Sequence, residues 1–169
     1  DFIYAPVIKK EILQAEPVVK DHVSVYLPQY DDAIICDALK QVKDMRFEIF
    51  SKTAKSVSGE NNITIMPVSN DGFTQSLINC TGIITGAGFE TPAEALYLGK
   101  KLMCIPIKGQ YEQLCNAAAL QKFGVPIHAK IDKDFNKKVI HWLHKKPVKP
   151  LQLFSTTKEV IEKVIEKAG

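Results

Sequence analysis

Residues 82–116, GIITGAGFETPAEALYLGKKLMCIPIKGQYEQLCN, constrain the fold of this chain most. They run as apolar strand, glycine turn, helix, apolar strand, polar loop and helix. Both strands are short and apolar on alternate and intervening positions alike. Strands of that kind are buried on two faces, which requires a parallel sheet covered by helices on both sides. In such sheets ligands bind outside the carboxyl ends of the strands.

The rest of the chain repeats the alternation. Residues 22–27 (HVSVYL), 47–50, 63–66, 82–84 and 102–105 read as strands. Residues 31–42, 70–79, 92–98, 112–123, 133–144 and 157–167 read as helices, from apolar residues at helical spacing and from their caps and stops. Residues 58–62 (SGENN) read as a turn. Asp31 or Asp32 is placed to cap the first main helix, and Gly99 to end the one that starts near Pro92. The expected fold is α/β, a Rossmann-like parallel sheet. The strand ends then bring four loops to one edge: Gln29-Tyr30, residues 67–71, 85–91 and 108–113.

Composition narrows the class. Of 169 residues, 46% are hydrophobic and 24% charged, which suits a folded globular domain. A net charge of +3 without basic runs interleaved with aromatics gives no case for nucleic acid. No stretch is long and apolar enough to span a bilayer, and no signal peptide is present; a cytoplasmic location is expected. Cys36, Cys80, Cys104 and Cys115 are widely spaced and read as reduced thiols, the first three in apolar surroundings. The chain starts at Asp1, and residues 1–20 lack both a glycine turn and a strong period. The expectation is a piece of a longer protein.

At the predicted edge, Gly86 and Gly88 let backbone approach a ligand with no Cβ between. The amides of Phe89, Glu90 and Thr91 open a helix, lack internal acceptors and lie at its positive end, where a diphosphate is favoured. The Thr91 hydroxyl adds a donor. Glu94, one turn on, suits paired ribose hydroxyls, and Gln110, Glu112 and Gln113 suit sugar hydroxyls. The plainer alternatives are a tight turn for Gly86-Ala87-Gly88 and a dipole partner for Glu94.

The order G-x-G-F-x-T-x-x-E-A-L-x-L-G-K followed by I-P-x-K-G-Q-x-E-Q-x-x-N-A resembles the carboxyl-terminal, donor-binding half of GT-B glycosyltransferases. It is most similar to enzymes related to the peptidoglycan N-acetylglucosaminyltransferase that makes lipid II. The match is specific over residues 82–124 and looser from His22 to Thr81. The resemblance implies a diphosphate site at Gly86, Gly88, Phe89, Glu90 and Thr91. It implies ribose binding by Glu94, sugar binding by Gln113 with Gln110, and base binding near Ser69 and Asn70. Residues 1–20 become an interdomain connection and residues 21–169 the donor domain, with an acceptor domain, and the catalytic base, preceding residue 1. No metal and no cofactor are expected. The donor is expected to be a UDP-sugar. The family's first loop is glycine-rich, whereas Pro28-Gln29-Tyr30-Asp31-Asp32 has no glycine.

Other features read more plainly. Asp132-Lys133-Asp134 mimics a metal-binding DxD motif but falls at a helix start, where carboxylates cap. His141 and His144 share a helix face without a third ligand, and Trp142 reads as core or interface. Lys145–Pro150 reads as a solvated linker, with peripheral membrane association of a full-length protein as its alternative. The stripe Val160, Ile161, Val164 and Ile165 is expected to pack on this domain rather than to return to the first one. Two further assignments stand beside a single-chain transferase: a free-standing donor subunit, and a sugar-nucleotide 2-epimerase, whose paired acidic residues the run Gly88–Glu94 lacks.

Overall fold

The computed structural model describes residues 6–16, 18–151 and 157–168. Six strands form one sheet in the order β3-β4-β2-β1-β5-β6. They are β1 (His22–Tyr26), β2 (Arg46–Ser51), β3 (Ser58–Glu60), β4 (Ile63–Pro67), β5 (Gly82–Thr85) and β6 (Lys101–Cys104). All neighbours are parallel except β3, which runs antiparallel to β4 with Ser58 opposite Ile65. The sheet is therefore mixed, not wholly parallel, and residues 58–60 form a hairpin strand where a turn was expected. Asn61, at φ 55, makes the reversal. Beyond β6 the chain adds a parallel bridge from Cys104 to Ile127.

Side chains alternate across this sheet as the two-residue period of a strand demands. Val23 and Val25 of β1, Phe47 and Ile49 of β2, Ile84 of β5 and Met103 of β6 face one way. There they pack on Ile35 and Leu39 of α2 (Asp32–Leu39) and on Phe135, Val139 and Trp142 of α6 (Phe135–His144). Ile83, Leu102 and Cys104 face the other way. They meet Leu77 and Ile78 of α3 (Asn70–Asn79), Ala95 and Leu96 of α4 (Glu90–Tyr97), and Ala117 and Leu120 of α5 (Tyr111–Lys122). Trp142 is thus a core residue, 3% exposed, whereas His141 and His144 face solvent.

The segment before β1 is not a bare connection. It forms a short helix, α1 (Lys10–Leu13), and its Ile8 and Ile12 are buried in the same cluster as α3 and α4. On β1 and β2, the face turned toward α3 is polar: His22, Ser24 and Glu48 meet Ser76. Ser24 Oγ lies 2.5 Å from Ser76 Oγ, which donates to Glu48. His22 Nε2 lies 3.2 Å from the same hydroxyl. A buried polar cluster is tolerated when its members bond one another, as here.

Three local expectations change. Asp31 occupies the N-cap position of α2, but its side chain makes no capping bond; Asp32 instead accepts from Ser51 at 2.6 Å. Asp134, at the N-cap of α6, likewise does not cap, and pairs with Lys137 at 2.7 Å. The last helix, α7 (Thr157–Ala168), does not bury its apolar stripe: Ile161, Val164 and Ile165 are 54–65% exposed, and only Val160 is half-buried. Gly99 follows the end of α4 at φ +66, a left-handed conformation that glycine adopts without a Cβ penalty.

Candidate functional site

The site is built from the ends of β5 and β6. Thr85 closes β5, and Gly86, Ala87 and Gly88 carry the chain into α4, whose N-cap residue Phe89 already has helical angles (φ −83, ψ −48). The first N–H groups of this helix have no acceptor within it. No side chain caps them. Their dipole end and open hydrogen bonds therefore face the C-terminal edge of the sheet together. Gly88 lies in open space: a Cβ built there meets no atom within 4 Å.

Gly86 is glycine for a different reason. A Cβ there would stand 3.0 Å from the side-chain oxygen of Gln113. That oxygen accepts two backbone amides, Ala87 N at 3.1 Å and Ile107 N at 3.0 Å. The Gln113 amino group donates to Gln110 Oε1 at 2.7 Å. Asn116, one turn further along α5, donates to the Ala87 carbonyl at 3.1 Å. Two side chains of α5 thus clasp the turn after β5 to the loop after β6. Gln113 sits at the edge as the sequence places it, but its oxygen is occupied by the turn, so only its amino group remains to reach outward. Gln110 is exposed. Asn116, unassigned from sequence, appears in the motif as the N of Q-x-x-N, and that was the signal that could have found it.

Glu94, expected at the ribose, is closed to solvent in this structure. It is 1% exposed, and neither carboxylate oxygen has a hydrogen-bond donor. Its cationic neighbour is Lys9, whose Nζ lies 3.7 Å from Oε1. Burial pushes its carboxyl above the usual range, and Lys9 pulls the other way. Thr91 is half-buried and Glu90 exposed at the helix start.

Ser69 and Asn70 reach the same edge from β4. Ser69 caps α3 by accepting from Gly72 N at 3.1 Å, and Asn70 is the first helical residue. They are three strand positions from β5, about 14 Å at ~4.8 Å per strand. No hydrogen bond joins them to the 86–94 turn among the described residues. Between lie Tyr26, Phe50 and Phe73, with Phe73 centred 5.6 Å from Tyr26 and 5.1 Å from Phe50.

The glycine-free first loop is tied to two neighbouring segments. Gln29 Nε2 donates to the Ile105 carbonyl at 3.1 Å, and Tyr30 Oη accepts from Ile131 N at 3.2 Å. Its side chains thus brace the ends of β6 and of the 126–134 segment. Asp132 pairs with Lys138, which holds its carboxyl below the usual range, and Asp134 pairs with Lys137, so both acids of the DxD-like run have lysine partners. The larger cavities lie away from the glycine turn. One of about 460 Å³ lies between α2 and the β3–β4 hairpin, and one of about 500 Å³ between residues 41–45 and α6. An apolar groove of about 140 Å³ flanks the turn itself, lined by Gly88, Phe89, Pro92, Leu96, Leu120 and Phe123. An edge left open on one side encloses little volume, so hydrogen-bonding capacity, rather than cavity size, locates the site.

A glycine turn and an uncapped helix start thus share one strand edge, and residues 1–147 match the family described as Glycosyl transferase family 1. The chain belongs to glycosyl transferase family 1. Its fold is that of solved GT-B glycosyltransferases. The spinosyn forosaminyltransferase SpnP is similar with a TM-score of 0.58 and 16% identity, over 97% of this chain and 44% of that one. The glycosyltransferase SnogD from Streptomyces nogalater gives 0.54 and 19%, over 96% and 47%. The glycosyltransferase VinC, solved with dTDP, gives 0.54 and 12%, over 82% and 37%. This glycosyltransferase-family chain spans less than half the length of each. No curated protein matches its sequence. No described helix is long and apolar enough to cross a membrane.

Proposed function

We propose that this chain is the donor-binding half of a GT-B glycosyltransferase that binds a nucleotide-diphosphate sugar and serves its transfer to an acceptor hydroxyl. The observation that carries the reading is the uncapped start of α4, which opens on the strand edge directly after Gly86 and Gly88. A diphosphate satisfies its free amides. Glu94 lies one turn along the same helix, closed to solvent here beside Lys9, and meets the ribose when its side chain turns to the edge.

The roles are assigned in keeping with this reading. Gly86 and Gly88 admit the diphosphate, and the amides of Phe89, Glu90 and Thr91 receive it. Gln113, through its amino group, and Gln110 contact the sugar. Ser69 and Asn70 sit at the far end of the edge, where the base belongs. In the reaction the bond from the anomeric carbon to the β-phosphate oxygen breaks and a bond to the acceptor oxygen forms. The acceptor proton passes to a base. The leaving diphosphate gains charge, and the helix start stabilises it without a metal. The base and the acceptor site lie on a preceding domain in this reading, with residues 1–20 as the connection and residues 21–169 as the donor domain. The donor nucleotide is UDP. The dTDP found in VinC makes dTDP the alternative to test. The motif over residues 82–116 favours the branch related to the lipid II-forming enzyme.

Calorimetry of the chain with UDP, dTDP and GDP, and then with their sugars, tests this. Binding of UDP supports the reading, a preference for dTDP moves the base assignment, and binding of none removes the donor role.

A further inference from the structure

Charge is unevenly placed on this chain. Residues 130–149 hold seven lysines against two aspartates, a local net of +5, while the whole chain carries only +3. The remainder is therefore net negative. The lysines also share a surface. With 3.6 residues per turn, Lys133, Lys137, Ile140, His141 and His144 fall within about a third of the circumference of α6 and its lead-in. All five are exposed, whereas Phe135, Val139 and Trp142 on the opposite side are buried in the core. Lys145, Lys146 and Lys149, also exposed, extend the charge past the helix. They sit on a strap tied at its far end: Val148 packs into the cluster that holds α4, and Leu151 N donates to the Leu96 carbonyl at 3.2 Å. At its near end Lys101, the first residue of β6, donates to the Leu143 carbonyl of α6. The strap therefore lies at the amino ends of the strands, opposite the edge that carries the glycine turn.

Both aspartates are already engaged, Asp132 by Lys138 and Asp134 by Lys137. Lys130, Lys133, Lys145, Lys146 and Lys149 have no ion pair among the described residues. Beside them opens the cavity of about 500 Å³, where apolar Met45, Ile140 and Leu143 adjoin Lys43, Asp44 and His144.

We propose that this face docks on an anionic lipid surface, with headgroup phosphates as the ligands of its lysines. Lysines clustered on one face of an amphipathic helix are drawn to the negative surface potential of such a bilayer, and they need no shaped pocket for it. Nucleic acid fits less well, because none of the exposed residues of this face is aromatic and Trp142 is buried. An acidic protein would need a central apolar anchor, and the stripe offers only Ile140, 40% exposed. A bilayer asks for less: charges along a face, with a cavity whose apolar and polar sides suit an amphiphile. Docked this way, the chain keeps the edge of the glycine turn clear of the lipid. The proposal stands apart from the donor assignment.

Co-sedimentation tests it, with vesicles of phosphatidylcholine alone and of phosphatidylcholine with about 30% phosphatidylserine. The chain is expected to bind the anionic vesicles and not the neutral ones. That binding is expected to weaken at least tenfold or so between ~0.1 M and ~0.5 M salt, because exposed charges are screened. The variant Lys133→Gln, Lys145→Gln, Lys146→Gln, Lys149→Gln is expected to bind anionic vesicles more than about tenfold more weakly. A control of equal net charge, Lys10→Gln, Lys52→Gln, Lys55→Gln, Lys122→Gln, is expected to bind within about twofold of the parent, since its exposed lysines lie elsewhere. Melting temperature and nucleotide affinity are measured on both variants and are expected to match the parent. If the first variant melts lower, Lys145→Gln with Lys146→Gln alone replaces it, with a smaller loss of the same sign expected. Equal binding to neutral vesicles, no sedimentation with either kind, or equal losses in variant and control overturns the proposal. None of these outcomes bears on nucleotide binding, and a chain that binds no nucleotide leaves the vesicle result as it is.

Discussion

The side-chain oxygen of Gln113 accepts the backbone N–H of Ala87 at 3.1 Å, across 26 positions of chain. Because it also holds Ile107 N, one amide oxygen joins the loops after two neighbouring strands. Gln113→Ala leaves two loop amides without their acceptor. The expected loss is about 1–3 kcal/mol of stability, read by chemical denaturation, together with weaker nucleotide binding. Unchanged stability would show that the clasp is incidental.

The two glycines of the turn separate structure from ligand. Gly86→Ala places a methyl 3.0 Å from Gln113 Oε1, so the clasp must shift and the melting temperature is expected to fall. Gly88→Ala meets nothing within 4 Å and is expected to melt like the parent. It should nevertheless bind UDP about tenfold more weakly, a cost of ~1.4 kcal/mol, because the methyl occupies space meant for phosphate. Calorimetry and thermal melts on the pair check both halves.

Glu94 gives up stability for binding. Its folded carboxyl titrates above the ordinary value because of burial, so its favourable contribution belongs to low pH and is lost as pH rises through the folded value. Glu94→Gln is therefore expected to melt higher than the parent at neutral and alkaline pH. The rise is about 2–4 °C for ~1 kcal/mol, and it vanishes in acid. The same variant is expected to bind nucleotide poorly. Equal melting at every pH would contradict the cost of burying this carboxylate.

Acid sensitivity should come from the imidazole under α3. Burial pushes His22 down, with Glu48 opposing and Arg46 and Lys20 adding to the depression. His128 is also lowered, by burial and then Lys138. For such groups stability is complete above the unfolded value of about 6.5 and declines as pH falls from there toward the folded value. Denaturant midpoints are expected to drop across that window. His22→Gln is expected to flatten part of the drop. A midpoint independent of pH between about 7 and 5 would contradict this.

Most of the fold could be read along the chain because its apolar strands and amphipathic helices are locally encoded. Gly82–Thr85 and residues 102–104 are buried on both faces, and their residues say so. What escaped was non-local. Ser58-Gly59-Glu60 has the composition of a turn and becomes a strand only because Thr64 and its neighbours offer an edge. The stripe of α7 has the spacing of a packed helix, yet spacing does not say against what, and Ile161, Val164 and Ile165 stay exposed. The edge residues Gly86–Thr91, Gln110 and Gln113 could be placed from their loops. The Lys9–Glu94 pair could not, because 85 residues separate its members in the sequence and only folding brings them together.

In the proposed reading a nucleoside diphosphate binds at the start of α4 with its ribose on Glu94. Calorimetric titration of UDP, dTDP and GDP into the chain and into Glu94→Ala tests it most directly. Binding by the chain is expected, with a loss of about 1–3 kcal/mol in Glu94→Ala, roughly fivefold to 150-fold in affinity. No binding of any of the three, or equal affinity in the two chains, would contradict it.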